Sequence, residues 1–271
     1  MAKGKVLGLQ RRSRIHPTAQ VSPLARLAPD VEVGPYAVIG PEVVIREGCR
    51  IGPHATVTGK TFIGPHTRIY AGAVVGVAEP AEFDTPDQPQ AGELRIGAGN
   101  IIREYALLRP GRDPNRPTCL GDRNFIMGYV QVGAGCQIGN GVVITHATHL
   151  SDGVTVEDDA VISGLTEIGP GVRIGRLAMV GALTGIFADV PPYLMVAGNP
   201  PQVHGINVVG LRRHDVSPED RATLKRAFKV LYRSDRPLAE SIDELAAEFS
   251  GSPLVQHLIA FLRQSERGIV Q

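Results

Sequence analysis

Tryptophan is absent from this 271-residue chain, and aromatic residues make up only 5% of it. A core built on large rings is therefore excluded. Cysteine is scarce: Cys49, Cys119 and Cys136 are widely spaced, odd in number and form no CxxC pair. That excludes a disulfide framework and a cysteine zinc site, and it points to a reducing, cytoplasmic compartment. A charge surplus is also missing. With 28 basic and 27 acidic side chains the formal net charge is +1, which argues against nucleic acid as the main partner. No window of about 18 apolar residues occurs, so no transmembrane segment is expected. The opening "MAKGKVLGLQRRSR" carries five Lys/Arg and no acid, but lacks the apolar stretch of a secretory signal. It reads as a basic, flexible tail over residues 1–14.

What the chain has is glycine (32), proline (21) and a repeat of period six. From Ile15 the register runs through Val21, Leu27, Val33, Ile39, Ile45, Ile51, Val57, Ile63, Ile69 and Val75 without a miss. It resumes at Ile96, Ile102 and Leu108, is broken by Pro114, and continues from Leu120 to Ile186. A second column lies four residues on and holds small or β-branched residues: Ala19, Ala25, Val31, Ala37, Val43, Cys49, and later Val130, Cys136, Val142, Thr148. Period six cannot place one stripe on a helix of 3.6 residues per turn. It fits a parallel β-helix in which each hexad is a short strand plus a turn and three hexads close one triangular coil. The aliphatic side chain then fills the prism, and glycine and proline serve the corners. Coils stack at about 4.8 Å, so residues 18 apart become vertical neighbours. A single coil cannot bury its apolar face; a stack can.

Two segments interrupt the repeat: residues 77–95, polar and proline-rich, and residues 110–118, "PGRDPNRPT". Loops leaving a rigid solenoid commonly carry binding function. The solenoid is expected over residues 15–205. Beyond it the pattern turns helical, and a small α-helical domain is expected over 206–271. "SPEDRATLKRAFKVLYRSD" offers Ser217 as N-cap and Pro218 at the first helical position, and two more amphipathic segments follow.

The hexads together with "VPPYLMVAGNPP", "GINVVGLRR", "LYRSDRPLAE" and "RSERGIV" resemble the UDP-N-acetylglucosamine O-acyltransferases of lipid A biosynthesis. The likeness covers about residues 15–270. It implies a left-handed parallel β-helix, a homotrimer with active sites between subunits, no cofactor and no metal. The implied partners are acyl carrier protein and a UDP-sugar. In that family a histidine takes the proton of the sugar hydroxyl. Anchored on "DRNFIM" and "CQIGN", the family's histidine motif falls on "YVQVGAG", residues 129–135. Gln131 then stands at the first histidine, Ala134 at the catalytic one and Gly135 at the following acid. An alanine methyl accepts no proton. Asp152 falls where the family has the glycine whose N–H stabilises an oxyanion.

A relocated base is one answer. His149 lies one coil from Gln131 and Asp152 one coil from Ala134, so Asp152 is expected to orient His149. The bland reading places His146 and His149 as polar residues on a solenoid corner. Gln131, Arg103, Asn207 and Arg213 are the expected substrate-binding residues, with Arg103–Glu104 readable as a structural ion pair. Arg212, Arg213 and His214 form a small basic cluster suited to an acidic carrier protein. Two functions follow: a homologue that binds a nucleotide sugar or acyl carrier protein without the usual base, or an active acyltransferase working through His149.

Overall fold

The computed structural model describes residues 14–78, 92–234 and 236–271. Most of the expected basic tail and of the 77–95 insertion lies outside the described residues. Arg14, assigned to the tail, already pairs with Glu32 in the first coil. Glu93–Ile96, whose first three residues fall in the expected insertion, form a full strand paired with Lys60–Ile63.

The hexads do wind into a prism with three faces, of 11, 9 and 8 strands, parallel throughout except for the last strand of the first face. Most strands are two residues long, one side chain out and one in. The period of the pairing is 18 residues: Gln131 pairs with His149, and His149 with Glu167. The two interruptions lengthen a coil without shifting this registry. Ile69 pairs with Ile102, and Leu108 with Val132, 24 positions on. The hexad centred on Pro114 has left the wall as a tight turn, which is why its aliphatic position is vacant.

The aliphatic column fills the interior; Ile39, Ile63, Ile102, Ile126, Ile144 and Leu150 are all buried. Each such side chain contributes about 1.5–3 kcal/mol by leaving water. The second inward column adds a polar stitch. Thr148 Oγ1 donates to the Ser163 carbonyl (2.9 Å) and Thr166 Oγ1 to that of Gly181 (3.2 Å), each 15 residues on. Cys49 and Cys136 make the same bond through sulfur, to Gly64 (3.1 Å) and Ser151 (3.2 Å).

Glycine serves the corners as expected at Gly48, Gly72, Gly99, Gly135, Gly141, Gly153 and Gly171, but it does not serve them all. The left-handed position, three after each aliphatic residue, is often occupied by other side chains, including Tyr36, His54, Tyr105, Tyr129, Leu165 and Leu183. Each costs roughly 1–2 kcal/mol of backbone strain, which the coils on either side hold in place. Glycine answers a different need one residue after the aliphatic position. A Cβ on Gly52 would lie 2.9 Å from the Tyr70 carbonyl carbon and the Ala71 nitrogen of the next coil.

The solenoid ends in an antiparallel hairpin, Leu194–Ala197 with Gln202–Ile206. Four helices follow: α1 (Val208–Arg213), α2 (Pro218–Tyr232), α3 (Leu238–Glu248) and α4 (Pro253–Arg263). Ser217 caps α2 by accepting the Asp220 N–H at 3.0 Å, as read from the sequence. Helix α1 was not foreseen. The helices bury a second core around Leu211, Leu224, Leu245, Leu258 and Ile259, joined to the solenoid through Leu177 and Tyr193. No helix of the described residues is long and apolar enough to cross a membrane.

Candidate functional site

Ala134, Gly135, Asp152, Gly153, Pro170 and Gly171 bring three successive coils to one corner, and a cleft of about 470 Å3 opens there. Arg112, Asp113 and Arg116 of the 110–118 turn line it from one side and Arg267 of the C-terminal segment from the other. Gly135, Gly153 and Gly171 all have left-handed backbones (φ 72°, 71° and 65°). Glycine here leaves the corner bare, where other corners carry tyrosine or leucine.

Ala134 is 7% exposed and its methyl belongs to the floor. Its N–H is donated to Asp152 Oδ1 at 2.8 Å, and Asp152 Oδ2 lies 3.2 Å from Arg112 Nη2. Asp152 thus fixes the corner and pairs with the turn. The expectation that it orients His149 is corrected: His149 Nδ1 lies 2.9 Å from Glu167 Oε1 and 3.0 Å from Oε2. The reason is the path of the chain. His149 is on the second face, where its vertical neighbour is Glu167, whereas Asp152 has turned the corner. Ser151 Oγ steadies the same carboxylate at 3.3 Å. Gln131 is exposed directly beneath His149. His146 is exposed on the preceding corner.

Arg103 and Glu104 form the two-point pair read from the sequence, Nε to Oε2 at 2.8 Å and Nη2 to Oε1 at 3.2 Å. The Arg103 guanidinium holds the Glu104 carboxyl below the usual carboxylate range and itself lies 5.0 Å from the Tyr70 ring centre. Asn207 caps α1. Its Oδ1 accepts the Gly210 N–H (2.9 Å) and its Nδ2 donates to the Leu177 carbonyl (2.8 Å), so both ends of its amide are engaged inside the chain. Arg213 is exposed in the last turn of α1, and His214 Nδ1 lies 3.6 Å from Asp159.

Three features were missed by sequence reasoning. Arg112 and Arg116 arrive on the 110–118 loop, which was read as a candidate for binding without either arginine being singled out. Arg267 reaches the cleft because its guanidinium donates to the Pro170 carbonyl at 2.7 Å and lies 3.7 Å from the buried Asp189. Glu167 was accessible from the 18-residue rule alone.

A triangular stack of hexads with a helical end defines a hexapeptide-repeat transferase class. A family model described as bacterial transferase hexapeptide (six repeats) matches residues 25–59. A second, described as Udp N-acetylglucosamine O-acyltransferase, domain 2, matches residues 189–270. An acyl-[acyl-carrier-protein]–UDP-N-acetylglucosamine O-acyltransferase of Burkholderia mallei is 45% identical over 264 residues, covering 96% of this chain and all of that one. A protein of the same name from Synechocystis is 42% identical over 200 residues, 73% of this chain and 70% of its own. The solved UDP-N-acetylglucosamine acyltransferase of Francisella novicida superimposes with a TM-score of 0.90 at 31% identity, covering 94% and 93% of the two chains. That of Campylobacter jejuni gives 0.87 at 29%, covering 95% and 100%. The chain belongs to the UDP-N-acetylglucosamine O-acyltransferase family.

Proposed function

We propose that this chain binds the family's ligands, a UDP-sugar or acyl carrier protein, without the family's acyl-transfer base, and does so as a cytoplasmic homotrimer. One observation carries the reading: the residue that the resemblance sets at the catalytic histidine is Ala134, in the floor of a cleft whose described lining includes no histidine. Asp152 supports it. A carboxylate already holding the Ala134 N–H opposes, rather than stabilises, negative charge developing nearby. A missing general base lowers transfer by about 10²–10⁴.

The test is acyl transfer from acyl carrier proteins of several chain lengths to UDP-N-acetylglucosamine, run beside a thermal-shift screen of the same ligands. Binding without turnover is expected, and Ala134→His combined with Asp152→Gly is expected to raise transfer by about 10² or more. Turnover by the unaltered protein at a rate matching its relatives ends the proposal.

A second reading rests on the His149–Glu167 pair. A carboxylate on Nδ1 is the arrangement that orients an imidazole to take a proton at Nε2. It requires turnover that disappears in His149→Ala; turnover unaffected by that change eliminates it.

A further inference from the structure

The solenoid is closed at one end and open at the other. At the far end Val190, Val196 and Val270 join the interior cluster, and Ile186 is buried. At the near end the first coil terminates all three sheets. Arg14–Ile15, Gln20–Val21 and Arg26–Leu27 each pair with a strand on one side only among the described residues. The aliphatic column is uncovered there. Ile15 is 45% exposed and Val21 and Leu27 are half-buried, whereas Val33, Ile39 and Ile45, one coil on, are buried. Leu24, on a corner of the same coil, is 71% exposed. A solenoid end normally needs a polar cap to stay in water.

Charge gathers at this end. Residues 1–49 hold seven Lys/Arg and four Asp/Glu, a formal +3, while residues 50–271 carry −2. Three of the four acids are engaged. Glu32 lies 3.8 Å from Arg14 and 3.3 Å from Arg50, Glu47 lies 3.6 Å from Arg46, and Asp30 accepts the Gly48 N–H at 3.0 Å. Arg26 is exposed, and the Arg14 side chain remains 81% exposed beside Glu32.

We infer that the open end of the solenoid is a peripheral membrane contact: Ile15, Leu24 and Leu27 enter the outer part of an anionic lipid layer, and Arg14 and Arg26 meet its headgroups. An apolar end set among cations matches a surface that is negative above and apolar beneath. Nucleic acid would take up the charge but leave Ile15 and Leu24 in water. A second copy docked end to end would cover the apolar groups but bring two +3 segments together. The contact goes beyond the proposed ligands and does not depend on them. A cyclic trimer turns its three equivalent ends to one side, so three weak contacts would act together.

Flotation of the full chain with lipid vesicles tests it. The chain is expected to float with vesicles of phosphatidylcholine and phosphatidylglycerol in equal parts, not with phosphatidylcholine alone, and added salt should release it. Arg26→Gln should lower the partition coefficient about fivefold or more, the share of one basic side chain near such a surface, and Leu24→Ser about tenfold or more. Both side chains are exposed, so a melting curve should show the fold unaltered, and Lys225→Gln on α2 should leave partitioning unchanged. No preference for the anionic vesicles, or flotation indifferent to both Leu24→Ser and Arg26→Gln, overturns the inference. A labelled single-stranded oligonucleotide bound through Arg26 in place of vesicles would assign the end to nucleic acid. A doubling of mass in light scattering, abolished by Leu24→Ser and seen in place of flotation, would assign it to a second copy. Either result ends the proposal.

Discussion

Cys49 and Cys136 occupy a column otherwise held by alanine, valine and threonine, with asparagine at Asn100 and Asn124, and they bond the next coil as threonine does. Burial pushes their thiols up to about 11 and about 12. Since the thiolate is the reactive form, neither should react in the folded protein at pH 8. A disulfide-exchange reagent is therefore expected to modify Cys119 first, the half-buried one, and to reach the other two only on unfolding; three fast equivalents would contradict this assignment. The inner positions were readable from the sequence because an interior tolerates little besides small or aliphatic groups at fixed spacing. The outer ones were less so. Asp152 and Glu167 both offer His149 a carboxylate, three and 18 positions away, and only the turn of the backbone at the corner decides between them. The left-handed tyrosines and leucines escaped for a similar reason: local preference argues against them, and the stack overrides it.

Among the elements, α4 is joined to the solenoid by Arg173, which donates to the Phe261 carbonyl at 3.2 Å, and by a longer polar chain. The Tyr193 hydroxyl lies 2.7 Å from His257 Nδ1, and His257 Nε2 lies 3.2 Å from Glu157 Oε2, which also accepts the Arg176 N–H at 2.7 Å. No sequence rule links positions 193 and 257, which are 64 residues apart. Burial raises the Tyr193 phenol from 10.0 to about 12. The folded chain therefore keeps a proton that the unfolded chain releases, and stability falls as pH climbs from 10.0 towards 12, by about 2–3 kcal/mol. Burial raises Tyr232 as well, so part of the alkaline loss belongs to it. Urea unfolding across that range should show a shallower loss in Tyr193→Phe than in the unaltered protein. Equal slopes would mean that Tyr193 titrates normally. The strands and the caps of α2 were legible because each rests on a local pattern, whereas this link joins groups that only packing brings together.

At the scale of the molecule, the outer side of the first face changes character along its length. It begins with Arg14, Glu32, Arg50 and Arg68 and continues with Ile101, Phe125, Val143, Val161, Met179 and Met195. The adjoining corner carries Tyr105, Tyr129, Leu165 and Leu183, each more than half exposed. A contiguous apolar strip of this kind marks a protein interface, and it supports the proposed trimer. Phe125→Arg or Val161→Arg is expected to yield folded monomers by size exclusion with light scattering, where the unaltered chain elutes as a trimer; an unaltered chain that runs as a monomer would remove that support. The extra hexad of the 24-residue coil has a consequence for how such a molecule diversifies. Gln131 still sits under His149 although six residues have been expelled below it. Architecture and recognition are thereby written in separate parts of the chain: walls can be inherited unchanged while the bends between them are lengthened, emptied or given new charges.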